Sequence, residues 1–255
     1  MTDPSKITVA ILSAGLGTRL RPLTETTPKV MMPFDGIPLL EHTITLLRDQ
    51  GFRKFVINLH SLPEKITTHL GGGERLGVEI NYSDETKKLL ETAGAIKKME
   101  PLLSDPFLLI YGDQLHFYDF QPLLQFHEDH QAFGTLVLKD SDIPENGDVA
   151  EIDPNTHRIT AWLTRPHGIT ELGDKYHING GFSMWSKKLL DFIPSDFPAK
   201  LDGEILPPLM KTRRDLYGLP TKENMIDIGT LEKYEAAQKW YRQKKVDYKK
   251  ESHMW

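Results

Sequence analysis

Residues 7–21 read Ile-Thr-Val-Ala-Ile-Leu-Ser-Ala-Gly-Leu-Gly-Thr-Arg-Leu-Arg, and this stretch most constrains the fold. Residues 7–13 form a short apolar run rich in β-branched side chains, the pattern of a buried strand. The run empties into Ala14-Gly15-Leu16-Gly17, where two nearby glycines permit a tight turn and a close approach to the main chain. Thr18, Arg19 and Arg21 follow, and Lys29 stands ten residues beyond Arg19. A strand that opens into a glycine loop leaves backbone N–H groups unpaired, and fixed cations beside them suit a polyphosphate. Neither common phosphate loop is present. The Lys of a Walker loop is absent, and Leu20 stands where the dinucleotide fingerprint requires its third glycine.

Around this stretch strand and helix alternate. Residues 38–51 carry Leu39, Leu40, Ile44 and Leu47 at helical spacing and stop at Gly51. Strands are expected at 55–59, 78–82 and 107–111, with helices at 63–70 and 91–103. This alternation predicts a Rossmann-like α/β fold, a mostly parallel sheet with helices on both faces. From Gly134 the pattern changes to strands at 135–139, 149–152, 159–163 and 178–185 with few helices between. A smaller, partly antiparallel sheet covering the site is therefore expected. Helices return at 187–192, 204–214 and 230–244. The chain is read as one domain over 1–245, with parts at 1–133 and 134–229, a C-terminal helix over 230–245 and a flexible tail at 246–255.

The 255 residues, 39% of them hydrophobic, suffice for one large core or two modest ones. A net charge of −5 excludes the basic excess that a nucleic-acid partner demands. Cysteine is absent, which excludes a disulfide framework and a thiolate metal site and fits a cytoplasmic protein. The N-terminal apolar run is too short for a secretory segment, and no run approaches the ~18 apolar residues of a membrane span. No hexapeptide repeat is present. The ten histidines show no metal-ligand spacing. Association with further copies of the chain is compatible with this composition.

Two carboxylates follow apolar runs. Asp113 closes Leu108-Leu109-Ile110-Tyr111-Gly112-Asp113, and Asp227 stands in Met225-Ile226-Asp227-Ile228-Gly229-Thr230. Each also reads as a helix cap or turn residue. If both strands belong to one parallel sheet, their carboxyl ends share an edge, where ligands bind in such folds. Two carboxylates meeting there can hold Mg²⁺, which takes oxygen ligands and keeps substrate phosphates in its octahedron. Brought together without metal, they are expected to repel and to raise each other's pKa, so that Asp→Asn at either would stabilise the protein slightly.

The string from Leu12 through Thr24, with Pro28-Lys29 after it, closely resembles the signature of the sugar-1-phosphate nucleotidylyltransferases. The similarity covers roughly residues 7–240. It implies joining a nucleoside triphosphate to a sugar 1-phosphate, with release of pyrophosphate. Leu12, Ala14, Gly15, Gly17 and Thr18 would bind the nucleotide, Arg19 the leaving phosphates and Lys29 the α-phosphate region, while Asp113 and Asp227 would hold Mg²⁺. Leu90-Glu91-Thr92-Ala93-Gly94 resembles the family's second base-contacting loop, Leu-Gly-Thr-Ala-Gly, with Thr92 and Gly94 at the nucleotide. Glu91 replaces the first glycine, a departure shared with a muramic acid phosphate uridylyltransferase-like group; Thr92 also reads as an ordinary helix cap. The base is expected to be guanine or uracil.

On the sugar side, Asn179-Gly180-Gly181 is similar to a strand that touches the sugar, which places Asn179 and Gly180 there. Thr164-Arg165-Pro166 sits where relatives carry Glu-Lys-Pro. Arg165 keeps the cation for the sugar phosphate and can grip it bidentately. Thr164 removes the carboxylate, and Glu204 is the expected replacement. Two other readings stay open: transfer to a phosphorylated alcohol such as phosphocholine, for which Trp162 and Trp185 would form an aromatic cage, and a non-catalytic homologue that binds nucleotide-sugars. The latter is expected to lose Arg19, Lys29 or one Asp, and all four are present.

Overall fold

The computed structural model describes residues 2–251 except 142, 196 and 224; for 146 and 245–251 only the backbone is described. The elements run β1 (Thr8–Leu12), β2 (Pro33–Phe34), β3 (Ile37–Pro38), α1 (Leu39–Asp49), β4 (Lys54–Leu59), α2 (Pro63–Leu70), β5 (Glu79–Asp84), α3 (Glu91–Lys98) and β6 (Phe107–Tyr111). They continue with β7 (Gln114–His116), α4 (Gln121–Asp129), β8 (Gly134–Lys139), β9 (Val149–Ile152), β10 (Ile159–Leu163), β11 (Tyr176–Trp185), α5 (Leu206–Thr212), β12 (Leu216–Thr221), β13 (Met225–Asp227) and α6 (Leu231–Glu251).

β1 lies inside a nine-stranded sheet of order β10-β9-β11-β6-β1-β4-β5, with β8 pairing β11 and β12. It runs parallel to β4 and β6, and β5 extends the parallel block. Val9, Ala10 and Ile11 are fully buried because both faces of this block are covered, which is why the strand is uniformly apolar. On one face Leu40, Ile44 and Leu47 of α1 pack with Ile66 and Leu70 of α2 and Leu123 and Leu124 of α4. On the other, Ala93 and Ile96 of α3 pack with Leu206 and Leu209 of α5. Leu12 is level with Tyr111, and Ile11 with Ile57, so Ser13, Asn58 and Tyr111 gather at the carboxyl edge.

The strands after residue 134 do not form a sheet of their own. β11 pairs antiparallel with β6, and β8 and β9 pair with β11, so this half continues the main sheet. The small antiparallel sheets are instead two ribbons, β2–β3 and β7–β13. Asp227 therefore does not end a strand of the main sheet. It lies opposite Gln114, the residue after Asp113, and the Ile228 N–H donates to the Asp113 carbonyl at 3.3 Å. The two carboxylates meet through a ribbon rather than a common parallel edge. Helix α4 and strands β7 and β12 add to the elements expected from sequence. Residues 187–192 form a 3₁₀ helix, and 201–205 a π-turn ahead of the shorter α5.

α6 docks through Tyr234, Ala237 and Tyr241 against Phe34, Leu39 and Ile228, and the Tyr234 hydroxyl donates to the Pro33 carbonyl at 2.6 Å. It runs to Glu251, past the point where the tail was expected to begin; 252–255 lie outside the described residues. Among the described residues no helix is long and apolar enough to cross a membrane.

Candidate active site

Six of the sequence-predicted residues, Leu12, Ala14, Gly15, Lys29, Thr92 and Asp113, line one cleft together with Ser13, Val30, Asn58, Leu89, Glu91 and Tyr111. Its floor is hydrogen-bonded to the sheet. The Ser13 N–H donates to Asn58 Oδ1 at 2.6 Å, and the Ser13 hydroxyl donates to the Asn58 carbonyl. Asn58 Nδ2 donates to Glu85 Oε1 at 2.9 Å, while Glu85 Oε2 accepts from the Leu90 N–H at 3.0 Å. Glu85 is fully buried, and these charge-assisted bonds are what make that burial tolerable. It thereby ties the loop after β1 to the loop before α3.

Gly17 has φ +60°, and a Cβ there would meet Thr24 Cγ2 at 2.9 Å. The Thr24 hydroxyl donates to the Gly17 carbonyl at 2.8 Å, closing the turn. Around Gly15, by contrast, there is open space, which leaves the main chain approachable. Thr18 and Arg19 follow in an exposed 3₁₀ turn. Glu91, the departure from the family pattern, adopts φ +59°, the left-handed region where a glycine is strain-free. Thr92 caps no helix amide; its hydroxyl accepts from the Leu201 N–H at 2.8 Å. Gly94 is buried in the first turn of α3, where a Cβ would stand 2.6 Å from the Phe197 carbonyl.

At the expected phosphate end, the Lys29 ammonium lies 2.6 Å from Asp113 Oδ2 and 3.1 Å from Asp227 Oδ1. Lys233, in the first turns of α6, reaches the other oxygen of Asp227 at 3.0 Å. The Arg19 guanidinium packs beside Gly229 in the same corner. The expected mutual raising of the two carboxyl pKa values is overturned at Asp227. Burial alone would raise it, but Lys29 and Lys233 together hold it below its ordinary value. Stabilisation by Asp→Asn is accordingly no longer expected there.

At the expected sugar end, the Arg165 backbone N–H donates to Asp148 Oδ1 at 3.0 Å, and its guanidinium stands against the same carboxylate. Asn179 Oδ1 accepts from the Gly181 N–H at 2.9 Å, and a Cβ on Gly180 would crowd the Val137 carbonyl at 2.7 Å. Glu204 is exposed, and its carboxylate accepts from the Lys200 N–H at 3.1 Å. The carboxylate that turns inward is Asp202, two residues earlier. It accepts from Asn179 Nδ2 at 3.0 Å and from the Tyr111 hydroxyl at 2.6 Å. Trp162 donates its indole N–H to the Asp202 carbonyl at 2.8 Å, and Trp185 is fully buried with its N–H on Ser183. Neither tryptophan forms an open aromatic cage. Asn58, Glu85, Asp202 and Lys233 escaped the sequence reading. The only signal is a polar residue, Asn58, inside an otherwise apolar strand.

A family model described as nucleotidyl transferase matches residues 8–244. The chain belongs to the nucleotidyl transferase family. A UTP–glucose-1-phosphate uridylyltransferase of Synechocystis sp. is 31% identical over 237 residues, which is 88% of this chain and 60% of the relative. The mannose-1-phosphate guanylyltransferase catalytic subunit beta of Danio rerio is 31% identical over 223 residues, 86% of this chain and 60% of the relative. The chain thus spans about three fifths of the length of these curated relatives. The fold matches that of HddC from Yersinia pseudotuberculosis, solved with GMP-PN, at a TM-score of 0.75 and 24% identity over 92% of this chain and 99% of that one.

Proposed function

We propose that this nucleotidyl transferase joins a nucleoside triphosphate, GTP or UTP, to a sugar 1-phosphate and releases pyrophosphate. Residues 1–133 take the nucleotide and 134–229 the sugar phosphate. The observation that carries this reading is Lys29 held between Asp113 and Asp227 at the mouth of the glycine loop. The relatives' names give UTP with glucose 1-phosphate in one case and guanylyl transfer with mannose 1-phosphate in the other, which supports this reading.

The sugar phosphate oxygen attacks the α-phosphorus in line, without a covalent enzyme intermediate. Positioning and charge neutralisation supply the rate. The amides of 15–18 and Arg19 hold the departing β- and γ-phosphates, Lys29 transfers from the carboxylates to the α-phosphate region, and Arg165 holds the incoming phosphate. Leu12, Ala14, Thr92 and the main chain around Gly94 shape the base pocket.

Two carboxylates sharing one ammonium are close enough to serve one ion. Among the described residues no cluster of three or more metal-ligating side chains exists. That donor set fits Mg²⁺, which accepts one or two carboxylates when phosphates complete its shell. Asp113 and Asp227 would hold it, and it would neutralise charge on the triphosphate. Pyrophosphate release with a panel of triphosphates and sugar 1-phosphates tests the reaction. One strongly preferred triphosphate is expected, because a mismatched base edge leaves buried polar groups unpaired and can cost roughly 10⁴-fold. Equal rates with all four triphosphates would remove the base pocket from the loops of Gly15 and Gly94.

A further inference from the structure

We propose that Asp202 is the specificity-determining acceptor for hydroxyl groups of the sugar ring, an inference that rests on the sugar-phosphate reading above. An ionised carboxylate offers about four acceptor positions. At Asp202 two are taken, by the Tyr111 hydroxyl and by Asn179 Nδ2. Asp202 as a whole is half-buried and its partner Tyr111 lines the cleft, and the two described hydrogen bonds leave two acceptor positions uncommitted.

The surroundings decide what kind of ligand. Both direct donors on the carboxylate are neutral, while Asp148 and Arg165 both stand near enough to act on it electrostatically, with opposite sign. A phosphate seated on Asp202 would meet two carboxylates, whereas the exposed Arg165 guanidinium, which stands against Asp148, offers it a cation. Neutral O–H donors are what this corner accepts. A ring whose phosphate lies on Arg165 turns its hydroxyls toward such a wall.

Asp202 is also held rigidly, as a recognition group must be. Its carbonyl accepts from Trp162 of β10, and its side chain joins Tyr111 at the end of β6 to Asn179 of β11. The preceding residues bind the nucleotide loop: Ala93 and Gly94 donate their N–H groups to the Ala199 carbonyl at 2.8 and 3.3 Å, and Leu201 donates to the Thr92 hydroxyl. The acceptor is thereby fixed relative to the base pocket, which sets how far from the triphosphate the sugar sits.

The test compares wild type with Asp202→Asn, using the accepted sugar 1-phosphate and its single-deoxy analogues. The variant is expected to raise KM for the sugar 1-phosphate about 10–100-fold, the loss of a hydrogen bond to a charged group, while KM for the triphosphate changes by less than about twofold. One deoxy analogue should be penalised by wild type and not by the variant, the coupling that a direct contact produces. A parallel rise in both KM values, or unchanged discrimination against every analogue, overturns the proposal. Should Asp202→Asn fail to fold, Asp202→Glu moves the carboxylate by one methylene and should likewise lose that discrimination. No pyrophosphate from wild type with any substrate pair would fail the reaction reading instead. Calorimetric titration of the sugar 1-phosphates into wild type and variant then decides on Asp202 alone.

Discussion

Two acidic corners lie near Tyr111, one with Asp113 and Asp227 and one with Asp202, and they are neutralised in opposite ways. At the phosphate end Asp113 and Asp227 are partly open to solvent and share Lys29, with Lys233 on the second oxygen of Asp227. In the proposed sugar corner Asp202 is held by a hydroxyl and an amide. The electrostatic outcome follows. Cations hold the Asp227 carboxyl below its ordinary value, whereas burial, with Asp148 adding to it, pushes the Asp202 carboxyl up to about 6. A corner balanced by ammonium groups can exchange them for another cation or release them to a phosphate. A corner balanced by fixed neutral dipoles selects neutral donors.

The largest expected effect breaks the phosphate corner. Lys29→Ala and Arg19→Ala should each lower turnover by roughly 10²–10³-fold, the loss typical of one preorganised donor. Asp113→Asn or Asp227→Asn should remove most activity at ordinary Mg²⁺, and the double variant should be little worse than either single, since the pair acts as a unit. Steady-state pyrophosphate release measures all of these. Additive losses would show that the two carboxylates serve separate purposes.

Next comes the pH dependence of the sugar corner. The Asp202 carboxyl rises from 3.8 to about 6 on folding. Its contribution to stability is therefore fully present below pH 3.8 and is lost as pH rises through about 6. Chemical denaturation of wild type and Asp202→Asn between pH 4 and pH 7 should show wild type losing about 2 kcal/mol relative to the variant. A pH-independent difference would show that the carboxylate is not desolvated.

At Asp227 the sign reverses. A depressed carboxyl contributes stability above its unfolded value of 3.8 and loses it as pH falls through the lower folded value. Asp227→Asn, in chelator, should cost about 1 kcal/mol at neutral pH and nothing in strong acid. A more stable variant at pH 7 would restore the picture of two repelling carboxylates.

The smallest effect concerns the loop between the corners. Because Glu91 is left-handed, Glu91→Gly should exceed Glu91→Ala in stability by about 1 kcal/mol. Equal melting temperatures would indicate that the loop relaxes to another conformation.

Much of this architecture is readable in the chain. The β-branched run at 7–13 forms the buried strand, the glycine loop behind it turns where expected, and the βα alternation up to Tyr111 builds the parallel block. These features are legible because strand pattern, glycine freedom and helical periodicity act over a few residues. The strands beyond Gly134 were legible as strands but not by partner, since local alternation does not say which edge a strand joins. β11 could find β6 only once the parallel block offered that edge.

The sequence by itself determined which chemistry-bearing groups the molecule possesses and which local elements carry them: the glycine loop, Lys29, and an Asp after each of two apolar runs. Only the tertiary structure decided how those groups are balanced. Lys29 reaches Asp113 across 84 positions and Asp227 across 198. Asp202, not Glu204, turns inward because a π-turn fixes it between Tyr111 and Asn179. The physical reason is range. Conformational preferences are set by near neighbours, whereas the charge state and partners of a carboxylate depend on whatever the fold brings within a few ångströms of it.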